Sequence, residues 1–185
     1  MLPTTNAEMG VDAGEPAVVE LFRHNLWANL KLLDTCVQLE PDRLNASAPG
    51  TFGNAYRTLV HIVGAEEWYS FLLTAQRLGE RMSSNAPPSL AELRARAMRS
   101  GERLIELARS MHPAQRVRWQ QREEEVSTTS AQLLAQAINH STEHRTHVTT
   151  ILSQHGIKHP PLSEWAYLSE QGGASAPRAF QMYAE

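Results

Sequence analysis

Three histidines lie within eight residues of one another in the stretch NHSTEHRTH, residues 139–147. His140 and His144 are four positions apart, and on a helix this spacing gives two side chains neighbouring places on one face. Neutral imidazole is a good ligand for zinc, nickel, copper and iron, and two imidazoles without a partner would be costly to bury in an apolar core. We therefore interpret His140 and His144 as two ligands of one metal ion.

The helix around this pair has an apolar stripe that contains both histidines. At 100° per residue, six residues fall within about 80° of arc: Leu133, Ala137, His140, His144, Val148 and Ile151. Such a stripe normally faces the core, so both imidazoles are predicted to point inward. His147 lies near the edge of the same stripe.

A third inward histidine is predicted on another helix, in the stretch TLVHIVGA at residues 58–65. The solvent side of that helix is predicted from its polar residues: Glu66, Glu67, Ser70, Thr74 and Arg77. His61 lies nearly opposite their centre. Three protein ligands and a water are the usual form of a catalytic zinc site. The sequence therefore favours a metal site of His61, His140 and His144 with one position open to water.

Two other readings use the same stretch of sequence. The letters HSTEH fit the H-x-x-E-H pattern of inverted zinc proteases, with Glu143 as the group that activates water. That class needs a further acidic ligand well downstream, and only 41 residues follow His144. A second alternative takes His140, His144 and His147 as ligands, but three ligands on one straight helix span nearly two turns and close a tetrahedral site awkwardly. We interpret His147 as an accessory group or a partly exposed residue at the edge of the core.

Capping residues predict where the long helices begin. Asn54 is predicted to cap the second helix, and Ser89 with Glu92 has the spacing of a capping box for the third. Thr129 with Gln132 repeats this spacing for the fourth. The predicted helices span residues 18–39, 55–78, 90–111 and 130–155, and Gly156 is placed to end the last one.

The remaining segments are predicted to be short or irregular. Residues 114–128 have a periodicity too weak to separate strand from loop, and we see no convincing run of alternating strands. Residues 162–170 form a short amphipathic piece that is expected to dock back on the helices. This pattern favours an all-α four-helix bundle over residues 15–170, between a loose tail at 1–14 and a second tail at 171–185.

Composition and charge bound the function classes. The net charge is −3, whereas nucleic-acid binders usually carry a basic patch, and the arginines at 94–109 alternate with glutamates as on a solvated helix face. No basic segment followed by an apolar run opens the chain, and no stretch approaches the ~20 apolar residues of a membrane span. We expect a soluble cytoplasmic protein without nucleic-acid or membrane partners, in which the single Cys36 is a core thiol. The other histidines are assigned to surface or loop positions: His24, His112, His155 and His159.

Three blocks of sequence resemble a known family in their order and spacing. They are NLWANLKLL at 25–33, TLVHIVGAEEWY at 58–69 and INHSTEHRTHV at 138–148, and PPLSEWAYL at 160–168 is similar to the family's closing segment. The chain resembles the DinB-like family of metal-dependent enzymes, also described as DinB/YfiT-like. The resemblance implies a four-helix bundle, often a homodimer, with a divalent-metal site. It carries the ligand role to the three histidines selected above.

The chain departs from the family pattern next to the last ligand. Family members commonly continue the final block as H-R-G-Q, whereas Thr146 and His147 stand here in place of the Gly and the Gln. The departure leaves the predicted ligands intact. It is a further reason to consider His147 an accessory group.

The predicted site and the resemblance together imply a metal-dependent enzyme of the thiol S-transferase or hydrolase type. We expect one divalent ion per chain (zinc, nickel, iron or cobalt), a low-molecular-weight thiol as cosubstrate and a small-molecule substrate. Such an ion lowers the pKa of a water or activates a thiolate. Glu143 and His147 are the candidate catalytic bases. Trp27, Trp68 and Tyr69 could line a pocket, but aromatic residues at helical spacing are more often core residues. The alternative is a non-enzymatic metal-binding stress-response protein.

Overall fold

Four long helices account for most of the residues that the computed structural model describes, which are 15–83 and 85–173. The elements in chain order are α1 (Ala17–Cys36), α2 (Pro41–Leu44), α3 (Ala55–Thr74), α4 (Leu90–Ser110), β1 (Arg116–Gln121), β2 (Glu124–Thr129), α5 (Ser130–Gln154) and α6 (Glu164–Glu170). The all-α bundle is confirmed, with a small two-stranded sheet added. The predicted tail at 1–14 and most of the tail at 171–185 lie outside the described residues.

The predicted helix caps are all present. Asn54 Oδ1 accepts a hydrogen bond of 2.8 Å from the backbone N–H of Arg57, and Ser89 Oγ accepts one of 3.2 Å from Glu92. Thr129 and Gln132 form the reciprocal capping box at the start of α5. Each cap satisfies N–H groups that the start of a helix leaves unpaired, and each capping residue contributes about 1 kcal/mol of stability. The caps therefore fix where the helices of the site begin.

Two of the helix ends differ in how well the sequence predicted them. Gly156, with a φ of +67°, allows the chain to turn as α5 ends, and Ile157 N–H donates to Leu152 O at 2.8 Å. By contrast, α3 ends at Thr74, four residues before the predicted end. Ala75 adopts a left-handed conformation with a φ of +58°, and the Thr74 hydroxyl accepts a hydrogen bond from Gln76 N–H at 3.1 Å. These local contacts stop the helix without glycine.

The segment at 114–128, left undecided from the sequence, contains an antiparallel hairpin. Strands β1 and β2 pair from Arg116 opposite Thr129 to Gln121 opposite Glu124. The expectation of no alternating strands was wrong here. Val117 belongs to an apolar cluster of the bundle, while charged side chains of the segment face solvent and mask the alternation.

The core consists of two apolar clusters with a polar layer between them along every long helix. One cluster includes Leu32, Leu59, Leu93, Ala97, Ile151 and Leu152, and the other includes Val19, Phe22, Leu73, Leu104, Leu133 and Ala137. Buried polar residues occupy the intervening positions: Asn25 and Asn29 on α1, Glu66 on α3, Ser100 on α4, and Ser141 and Arg145 on α5. We call these six residues the polar layer.

The closing segment docks back on α1, as predicted. Trp27 Nε1 donates to Glu170 at 3.0 Å, and Lys31 Nζ lies 2.8 Å from the same carboxylate. His24 Nε2 is 2.8 Å from Leu162 O, so this histidine is half-buried in the α1–α6 contact. Its assignment to a surface or loop position was wrong, because α6 covers the turn that carries it.

Three further expectations concern single side chains and helix length. Cys36 is fully buried, as predicted, and burial raises its pKa to about 12. The arginines of α4 were expected on a solvated helix face. Arg96 is instead buried and lies 2.7 Å from Glu67, so only part of that face is solvated. Across residues 15–83 and 85–173, none of the helices combines the length and apolar character of a membrane span.

Candidate metal centre

The structure brings together the three histidines that the sequence selected. His61 on α3 meets His140 and His144 on α5, and one nitrogen from each ring lies within 4.8 Å of the others. The Nε2 atoms of His61 and His140 are 3.0 Å apart. Two nitrogens bound to one tetrahedral ion at 2.0–2.1 Å are about 3.3 Å apart. The His61–His140 pair is close to this spacing, and the third nitrogen, within 4.8 Å, is near enough for the trio to hold one small cation.

The position of His61 on α3 differs from the one predicted. The sequence placed Glu66 and Ser70 on the solvent side, but both are buried, at 1% and 0% exposure. The buried face of α3 runs through these residues, so His61 is half-buried on its flank rather than at its centre. The prediction was wrong because it counted a polar side chain as an exposed one. His61 still reaches α5 from the flank.

The three imidazoles are held in the neutral form. Burial, together with the neighbouring charges of His144 and His61, lowers the pKa of His140 to about 4. Burial also lowers the pKa of His61 and of His144. Neutral imidazole has the free lone pair that a metal ligand needs, whereas a protonated ring has none. At neutral pH the trio is ready to bind a cation without releasing protons.

His147 lies beside His144 and outside the trio. Its Nδ1 is 3.2 Å from the Nδ1 of His144, and the side chain is half-buried. One of these nitrogens must donate and the other accept, so the contact couples the tautomer of His144 to that of His147. This is the arrangement of a group that orients a ligand from behind. The structure does not group His147 with His140 and His144 as a single-helix triad.

Glu143 faces away from the trio. Its side chain is exposed, and it forms no hydrogen bond or ion pair with any residue in the described part of the chain. Its charge acts on the site at a distance, where it slightly raises the pKa of His140 and His144 against the effect of burial. Of the other histidines outside the site, His112 and His155 are exposed, and His159 lies half-buried in the loop after α5, with its Nε2 3.0 Å from Ser153 Oγ.

An aromatic side chain that the sequence did not single out covers one side of the trio. Phe52 stacks on His61 with ring centroids 4.1 Å apart and an interplanar angle of 15°. Its edge also approaches His144, with ring centroids at 4.9 Å. The ring is half exposed, so it shields the imidazoles from water on that side. The only sequence signal was an aromatic residue within a loop rich in glycine and proline.

A cavity of about 560 Å³ reaches the trio, and His61 and His140 form part of its wall. Trp68, Tyr69 and Phe71 supply aromatic surface to the same cavity. Trp68 is exposed and lines the cavity, whereas Tyr69 lines it as a buried member of an apolar core cluster. Trp27 does not line it, because it packs against Tyr167 of α6. The volume falls within the range of small-molecule sites.

The family comparison agrees with these features. The model of the DinB family matches residues 5–178. The chain belongs to the DinB family. No curated protein matches it. The resemblance read from three sequence blocks is thereby confirmed over nearly the whole DinB bundle, and the helical fold agrees with it.

The polar layer of this DinB protein lies immediately beside the histidines of α5. Ser141 and Arg145 directly follow His140 and His144 in the sequence, and both are buried. Ser141 Oγ donates to Glu66 Oε1 at 3.1 Å, and Arg145 donates to Thr142 Oγ1 at 3.0 Å and to the side-chain oxygens of the two asparagines. The layer therefore fixes the rotation of α5, and with it the direction of both imidazoles.

Glu66 is the centre of the layer. Its carboxylate accepts hydrogen bonds from Asn25 at 2.6 Å, Asn29 at 2.7 Å and Ser100 at 2.9 Å, in addition to Ser141. Burial raises the pKa of Glu66, while these donors and the charge of Arg145 oppose that effect. Four donors face the carboxylate, and such a pattern matches an ionised group. Sequence reasoning missed the layer because each member is an isolated polar residue on its own helix.

Proposed function

We propose that this protein is a divalent-metal-dependent enzyme with His61, His140 and His144 as the ligands, of the thiol S-transferase or hydrolase type. The observation that carries the proposal is a trio of neutral imidazoles, two of which, His61 and His140, line a cavity of about 560 Å³. A protein that only stored metal would not need a small-molecule cavity that reaches its ligands. Family membership supports the same reading.

The residues around the trio have separate roles in this proposal. When His147 accepts the hydrogen bond at 3.2 Å, the proton stays on Nδ1 of His144 and the lone pair of Nε2 is available as a ligand. Phe52 excludes water from one side, and Trp68 and Tyr69 offer apolar surface to a substrate. A divalent ion, when bound, would supply Lewis acidity that lowers the pKa of a thiol or a water.

The available groups favour thiol transfer over hydrolysis. A hydrolase needs a general base within hydrogen-bond reach of the attacking water. Glu143 is exposed and faces away, and His147 is engaged with His144. Two carboxylates line the cavity: Arg96 neutralises Glu67 at 2.7 Å, and Glu80 is exposed to solvent. A thiol whose pKa is lowered by a cation needs no such base, so we place transfer first.

Metal content is the first test. Elemental mass spectrometry on untagged protein should find about one divalent ion per chain, and His61→Ala should lose it. His155→Ala is the matched control, because His155 is exposed and outside the trio. Absence of metal in the wild type after incubation with zinc, nickel, iron and cobalt would refute the proposal.

Activity is the second test. The metal-loaded protein should accelerate attack of glutathione or cysteine on 1-chloro-2,4-dinitrobenzene, with loss of chloride, and the His61→Ala variant should not. Hydrolysis of a nitrophenyl ester without thiol transfer would favour the hydrolase. Metal binding with neither reaction would favour the non-enzymatic metal-binding protein. The homodimer, the small-molecule substrate and the cytoplasmic location remain predictions.

A further inference from the structure

Two arginines without carboxylate partners line the same cavity as the histidines. Arg77 and Arg81 are both exposed, and neither forms an ion pair with a residue in the described ranges. The guanidinium of Arg77 lies 4.5 Å from the centroid of the Phe71 ring. Other arginines do pair with carboxylates: Arg23, Arg94, Arg96, Arg103, Arg109 and Arg118. Arg77 and Arg81 therefore bring two guanidinium groups without carboxylate partners to the wall of this cavity.

The carboxylates of the cavity do not cancel this charge. Glu67 is paired with the buried Arg96 at 2.7 Å, and that leaves Glu80 as the remaining acidic lining residue. Two free guanidinium groups against one free carboxylate give the cavity a positive charge. Arginine presents planar donors that match a carboxylate or phosphate oxygen pair. The charge and the donor geometry both favour an anionic group on the ligand.

The rest of the cavity wall is apolar and closely packed. Trp68, Tyr69 and Phe71 contribute aromatic surface, and Met82 covers the backbone at Gly64. A Cβ at Gly64 would lie only 3.0 Å from the Met82 Cε, so glycine lets this side chain pack against α3. Aromatic walls of this kind accommodate a flat or apolar body.

We propose that the cavity binds a substrate with an apolar or aromatic body and a carboxylate group. The body lies against Trp68 and Phe71, and the carboxylate binds Arg77 and Arg81. The half-buried histidines form another part of the same wall, so the bound molecule presents its reactive part to them. This last statement rests on the proposed metal-dependent function, whereas the carboxylate site depends only on the arginines and the aromatic wall.

A pair of isosteric probes tests the proposal on the full chain. Binding of 2-naphthoate and of its neutral analogue 2-naphthamide is measured by tryptophan fluorescence and calorimetry, on metal-loaded and on chelated protein. The naphthoate should bind more tightly in both forms, and its affinity should fall with added salt. The double variant Arg77→Gln/Arg81→Gln should lose about tenfold in naphthoate affinity and little in naphthamide affinity, as expected for two exposed ion pairs.

A second double variant controls for the loss of charge. Arg99→Gln/Arg122→Gln removes two exposed arginines that do not line the cavity, and it should leave naphthoate binding unchanged. Equal binding of the two probes, or equal loss in both double variants, overturns the carboxylate site while leaving the metal proposal standing. Preference for the naphthoate in a protein that binds no metal keeps the carboxylate site and overturns the metal proposal.

Discussion

Glu66→Gln is the substitution that tests the polar layer most directly. Glutamine keeps the shape of the side chain but removes the charge that interacts with Arg145, which is 5% exposed and is linked to Glu66 through Asn25 and Asn29. Breaking a buried charge pair by removing one partner typically costs about 3–5 kcal/mol, because the other charge is left uncompensated. Ser100 limits the additional loss, since its hydroxyl proton can turn from Glu66 to Ala97 O, 3.2 Å away, and its oxygen can then accept from the new amide. We therefore expect a destabilisation of about 4 kcal/mol.

A loss of stability of this size leaves the domain folded, and it is easily measured. Proteins of 150–250 residues lose roughly 2–4 °C of Tm per kcal/mol, so the Tm should fall by about 12 °C. Urea unfolding of metal-free protein, followed by circular dichroism, gives the free energy without a contribution from bound metal. Glu102→Gln is the matched control, because Glu102 is exposed and outside the polar layer, and it should change stability by less than about 0.5 kcal/mol.

The same substitution can refute the reasoning. If the free energy of unfolding of Glu66→Gln lies within about 1 kcal/mol of the wild-type value, the carboxyl is already uncharged in the folded protein. The inferred interaction with Arg145 is then wrong. A double-mutant cycle gives a second check. Glu66→Gln/Arg145→Met should cost less than the sum of the two single changes, since it removes both charges of a coupled pair. Simple additivity would mean that the two groups do not interact.

The remaining predictions concern the metal centre and pH. Replacing His140 or His144 with alanine should abolish stoichiometric metal binding. Glu143→Ala and His147→Ala should keep the metal content near the wild-type value. Full loss of metal in the His147 variant would favour the triad of His140, His144 and His147 on one helix. Chelation should lower the Tm, because a ligand present at 100 times its Kd stabilises by about 2.7 kcal/mol, and an unchanged Tm after confirmed metal removal would contradict a tight site. Burial lowers the pKa of His140 from 6.5 to about 4, so in that pH window the unfolded chain binds a proton that the folded metal-free chain does not. Stability of the metal-free protein should therefore fall as pH falls through this window, and His140→Gln should flatten the dependence in urea titrations at pH 7, 6 and 5.

Local patterns explain which features could be predicted from the sequence. Caps depend on residues three apart, so Asn54 and Ser89 could be recognised by spacing. The ligand pair could be recognised in the same way, because His140 and His144 are four apart on one helix. The order and spacing of short blocks were enough to indicate the family.

Features that depend on contacts between helices escaped the same reasoning. Glu66 looked solvent-exposed because its partners come from α1, α4 and α5, and nothing in the sequence near Glu66 indicates them. Phe52 was overlooked because a loop residue reaches His61 only when the loop folds over the start of α3. The hairpin was hidden because its charged residues mask the inward alternation of Val117 and Trp119.

The polar layer also sets the alignment of the helices along the bundle axis. Apolar side chains tolerate sliding, since one leucine can replace another at a contact with little change in energy. A slide of one helical turn moves a residue by about 5.4 Å, which breaks every hydrogen bond between Glu66 and its partners and buries charges without compensation. We infer that the layer selects one register among several that the two apolar clusters would accept. The histidines of α3 and α5 meet only in that register, so the specificity of the fold and the assembly of the site have the same origin.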